Sequence, residues 1–96
     1  MNDAKLARSL QSVGMTCFVK YFEYFASDIP REDVIEKLKK TTNYTANSCA
    51  TRTSTARRII KYDLAKKALA LVVGSESPSI TKTTREEAQR LIKTFA

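Results

Sequence analysis

Gly14, Pro30, Gly74 and Pro78 are the only glycines and prolines in a chain of 96 residues. Tight turns draw on these two residue types, because glycine reaches positive φ without a clash and proline presets the bend. Sandwiches and small barrels need a turn signal every ~10 residues, so a chain so poor in them has to fold from long elements. Hydrophobic spacing says which elements these are. Leu6, Leu10, Val13, Cys17, Tyr21 and Tyr24 recur at intervals of three and four, the helical period. The expected fold is all-α, a small bundle of five to six helices, forming one helical domain over residues 1–96.

The first apolar stripe is interrupted by Gly14, which costs roughly 1 kcal/mol against alanine inside a helix, so one kinked helix or two abutting helices are both open there. Beyond it the segment 17–26 is aromatic. Cys17, Phe18, Val19, Tyr21, Phe22, Tyr24 and Phe25 spread over roughly 220° of a helical wheel. So wide an arc needs cover from two sides, and a second copy of the chain is one source, with Phe18, Phe22 and Phe25 as the expected partner interface. Pro30 suits the first turn of the next helix, with Glu32 and Asp33 near its positive end and Lys39 and Lys40 near its negative one. Asn43 tolerates the left-handed conformation that stops helices, and Thr45 is an N-cap for a helix over about 45–61. Asp63 either starts another helix, through Leu64, Ala68, Leu71 and Val72 to Gly74, or falls inside one unbroken helix from 45 to 73. Ser75 to Thr83 reads as loop. Thr84 with Glu87 has the spacing of a capping box for a last helix.

Composition removes several chemistries. Hydrophobic residues at 43% and charged residues at 28% are ordinary for an ordered domain. The chain has no histidine, which excludes imidazole metal sites and His-dependent nucleophilic catalysis. Cys17 and Cys49 fall on apolar faces and read as inert thiols. Asp28, Glu32, Asp33 and Glu36 are better explained by a helix start than by a metal site. Arg52, Arg57 and Arg58 near Ser54 lack any acid–base partner for a serine nucleophile. The expectation is no enzyme, no cofactor, no metal and no small-molecule substrate. The longest apolar run, Ala68 to Val73, is far short of the ~20 residues that span a bilayer, and the N-terminus lacks a signal-peptide pattern. A cytoplasmic protein without a membrane partner is expected.

Net charge is +7, and it is concentrated. Residues 1–30 balance, whereas Lys37, Lys39, Lys40, Arg52, Arg57, Arg58 and Lys61 follow one another without an intervening Asp or Glu. Such a segment implies an anionic partner, most often nucleic acid. It also has an order: a helix over 31–40, the turn Thr41-Thr42-Asn43-Tyr44, then a helix opening Thr45-Ala46-Asn47-Ser48. That is the layout of a helix-turn-helix, whose second helix enters the major groove of duplex DNA. With Cys49, Thr53, Ala56 and Ile60 inward, the outer face carries Asn47, Ala50, Thr51, Ser54, Arg57, Arg58 and Lys61. The expected nucleic-acid-binding residues are Asn47, Ser48, Thr51, Arg52, Ser54, Arg57, Arg58 and Lys61, joined by Lys39 and Lys40. Tyr44 and Tyr62 flank this helix and are able to stack on bases.

Two residues depart from the best-known form of that motif: Lys39 stands where the first helix wants a small side chain, and Arg52 where the second wants an apolar one. Serine and threonine are also poor helix formers, so something other than propensity selects them in 45–61. The function expected is DNA binding by a regulator or accessory factor, as a homodimer. The competing reading is a protein-interaction module or inhibitor that uses the aromatic helix 17–26, and an RNA binder of similar charge is a third.

Overall fold

The computed structural model describes residues 2–95, and every element in them is helical. Seven helices follow in order: α1 Asp3–Val13, α2 Met15–Lys20, α3 Phe22–Ala26, α4 Arg31–Thr41, α5 Ala46–Lys61, α6 Ala65–Val73 and α7 Lys82–Ile92. Five or six were expected, and the excess comes from the aromatic stretch, which breaks twice. Gly14 breaks it first, with a φ of 89° that a side chain would resist. Tyr21 breaks it again, at φ −108° and ψ 17°. These bends fold α1, α2 and α3 around the core.

Local signals set most of the other boundaries. The Asn2 side chain accepts from the Lys5 amide at 2.8 Å to start α1, and Thr45 accepts from the Ser48 amide at 3.1 Å to start α5. The α5–α6 break is real. Asp63 takes φ 60°, the one left-handed non-glycine among the described residues; a short polar side chain bears that conformation better than most.

Three expectations need correction. Asn43 does not stop α4 in a left-handed turn. Instead Thr41 and Thr42 donate their hydroxyls to the Lys37 and Leu38 carbonyls at 2.8 and 2.6 Å, satisfying acceptors the helix end leaves open. The last helix starts three residues early, with Thr81 as its cap accepting from the Thr84 amide at 3.1 Å. Glu87 is thereby freed to pair with Arg90. On α6 the inner face is Ala65, Ala68, Leu69 and Val72, and Leu71 is exposed.

Helix α5 lies at the centre, in contact with α1, α3, α4 and α6, while α7 packs on α6 and α2. The buried side chains of all these helices make one continuous core. Phe18, Phe22 and Phe25 belong to it, at 0%, 7% and 2% exposure. Phe18 meets Phe22 edge-on at 5.5 Å between centroids and stacks near Phe25 at 6.4 Å, and Phe22 meets Phe95 at 6.1 Å. The chain's own helices therefore cover the aromatic arc. The expectation that a second copy would cover it is corrected, because the breaks at Gly14 and Tyr21 turn successive parts of the arc toward different neighbours. No helix of the described residues is long and apolar enough to cross a membrane.

Candidate nucleic-acid interface

Three of the five serines and threonines of α5 have structural partners. Thr53 is fully buried and donates its hydroxyl to the Cys49 carbonyl at 2.8 Å, so a polar side chain fits among close-packed helices without an unpaired group. Ser48 accepts from Arg52 Nε at 2.9 Å, and Ser54 accepts from Arg31 Nε at 2.9 Å. These roles explain what helix propensity does not.

The arginines of α5 divide into two kinds. Arg52 is half-buried. Its Nη1 donates to the Val13 carbonyl at the end of α1, and its guanidinium lies 3.7 Å from the centre of the Tyr44 ring. Arg57 reaches the opposite side and donates to the carbonyls of Tyr24 and Phe25 at 3.2 Å, Ser27 at 3.4 Å and Ile29 at 2.6 Å. Both close helix ends that would otherwise leave carbonyls unsatisfied. Arg85 does the same for α6, donating from Nε and Nη2 to Ser75 at 3.0 and 2.7 Å. Of the expected contact residues, Arg52, Arg57, Ser48 and Ser54 are thus already engaged within the chain.

Arg58 and Lys61 are exposed and have no side-chain hydrogen bond or ion pair among the described residues. Arg58 is shared by two shallow depressions. Lys5, Arg8, Ser9, Ser12 and Thr55 line one with it; Arg31, Ser54, Arg57, Lys61 and Tyr62 line the other. No carboxylate lines either. Lys5 and Arg8 are exposed and equally without partners, so four unpaired cations from α1 and α5 share one face. Sequence reasoning missed Lys5 and Arg8 because the charges of residues 1–30 cancel. Of the three acids responsible, Asp3 is paired with Lys67 at 2.9 Å and Glu23 with Arg90 at 3.9 Å, and Asp28 lines neither depression. The available signal was the spacing of Lys5, Arg8 and Ser12 down one side of α1.

Asn47 and Thr51 are exposed and lie on the same stripe of α5 as Thr55 and Arg58. Lys39 and Lys40 are exposed at the far end of α4, roughly 12 Å along its axis from Arg31. Lys39 is paired there with Glu36 at 3.5 Å. Tyr44 is covered by Arg52, and Tyr62 is 57% exposed.

Cys17 and Cys49 are both buried and unbridged. Burial pushes the Cys17 thiol up from its usual pKa and outweighs the opposing charge of Arg52 beside it, which keeps it protonated and unreactive. No three metal-ligating side chains gather among the described residues. Comparison of the chain with family models, with curated proteins and with solved structures finds no match.

Proposed function

We propose that this protein binds duplex DNA through phosphates facing Lys5, Arg8, Arg58 and Lys61, in the role of a regulator or accessory factor. The observation that carries the reading is the convergence at Arg58 of cations from α1, α4 and α5 with no acid among them. A solvated face interleaves its charges, as other surfaces of this chain do in the pairs Lys39–Glu36, Lys82–Glu86 and Arg90–Glu87. The Arg58 face offers unpaired cations together with the hydroxyls of Ser9, Ser12 and Thr55, and both bind phosphate oxygens.

Helices α4 and α5 keep the order of a helix-turn-helix, with α5 as the reading helix. Asn47 and Thr51 are the side chains free to meet base edges. Because α1 and Arg31 flank α5, the reading favours contact along the phosphate backbone over deep insertion. The competing reading, a partner protein held by the aromatic helix, loses support from the burial of Phe18, Phe22 and Phe25.

Backbone amide NMR with a short duplex at low salt tests this. Shifts centred on Arg8, Ser12, Thr55, Arg58 and Lys61 are expected, with Lys82 and Lys93 unmoved. No shifts, or shifts centred on α7, would overturn the proposal.

A further inference from the structure

Of the four tyrosines, Tyr62 alone leaves its ring unused. Lys20 lies over Tyr21, whose hydroxyl also meets Thr41 at 2.7 Å. Lys37 lies over Tyr24, and the Arg52 guanidinium covers Tyr44. Tyr62 has neither a cation over its ring nor a hydrogen bond to its hydroxyl among the described residues, and it is the most exposed large hydrophobic side chain in them, at 57%. Its mount is firm. The ring stands on the residue that caps the C-terminus of α5, whose amide donates to the Arg58 carbonyl at 3.1 Å, and the left-handed turn at Asp63 follows at once. Around it lie Arg31, Ser54, Arg57, Arg58 and Lys61.

An open aromatic face beside phosphate-binding cations is the combination that holds a single strand, whose unstacked bases present π-faces that a duplex conceals. We infer that Tyr62 stacks on an unpaired base, so that DNA carrying a single-stranded extension binds this face more tightly than a blunt duplex does. The inference rests on the reading of the Arg58 face as a phosphate-binding surface.

Fluorescence anisotropy with a labelled blunt duplex, and with the same duplex bearing a thymidine overhang, tests it. The wild type binds the overhang form more tightly. Tyr62→Ala weakens that form by about tenfold and leaves the blunt duplex unchanged, whereas Tyr62→Phe, which keeps the ring, behaves as wild type. Because the side chain is exposed, both variants keep the wild-type circular dichroism and melting temperature. Equal wild-type affinity for the two forms, or an equal effect of Tyr62→Ala on both, would overturn the stacking role while blunt-duplex binding lost in Arg58→Ala upheld the surface. No wild-type binding to either form would overturn both.

Discussion

Arg57 Nη2 donates to the Ile29 carbonyl at 2.6 Å, across 28 residues of sequence. The same guanidinium holds the carbonyls at the end of α3, so one side chain of α5 fixes both the aromatic helix and the loop that leads to α4. Its neighbour Arg58 touches none of this. Two adjacent arginines with the same charge therefore have separable consequences.

Arg57→Ala removes several charge-assisted hydrogen bonds and leaves carbonyls unpaired, a loss of about 3 kcal/mol. For a domain of this size that lowers Tm by more than ~10 °C. Arg57→Lys does not restore it, because a point ammonium lacks the planar fork that reaches several acceptors. Arg58→Ala changes stability by less than ~0.5 kcal/mol. Thermal melts of the three variants check this; equal losses at 57 and 58 would contradict it.

Gly14→Ala meets two obstacles. The site has φ 89°, and a Cβ there would lie 2.8 Å from Arg52 Nη1. Displacing that group breaks its bond to Val13, in addition to about 1–2 kcal/mol of backbone strain. Urea denaturation is expected to show a loss of about 2–3 kcal/mol for Gly14→Ala. A variant as stable as wild type would show that the α1–α2 break tolerates a side chain.

Phe22→Glu puts a carboxylate at a site 7% exposed and against Phe18 and Phe95. Burying an unpaired charge costs more than such a domain's net stability leaves over, so the variant loses its cooperative melt. A folded Phe22→Glu protein that sediments as a smaller species than wild type would instead put the ring at an interface between copies.

What was legible in the sequence is what local chemistry decides. Leu6, Leu10 and Val13 announce α1 by spacing, and Thr45 announces α5 because its cap partner is only three residues away. Where two local signals compete, the sequence is ambiguous: Thr81 and Thr84 both offer a cap, and the choice turns on the packing of α7 and on Arg90 taking Glu87. The candidate site was half legible. Arg58 and Lys61 stand out in the acid-free run, but nothing near Arg52 or Arg57 reveals that their acceptors lie 39 and about 30 residues away. Lys5 and Arg8 join the site only because α1 packs alongside α5, a tertiary relation that no charge sum along the chain contains.

The most direct measurement is the salt dependence of binding to a mixed-sequence duplex, followed by anisotropy. If Lys5, Arg8, Arg58 and Lys61 each neutralise one phosphate, log K falls against log salt with a slope of about −3.6, and Arg58→Ala or Lys5→Ala each makes it shallower by about 0.9. Lys93→Ala, away from this face, leaves the slope unchanged. A flat salt response, or a slope that Arg58→Ala and Lys5→Ala fail to alter, would contradict the account.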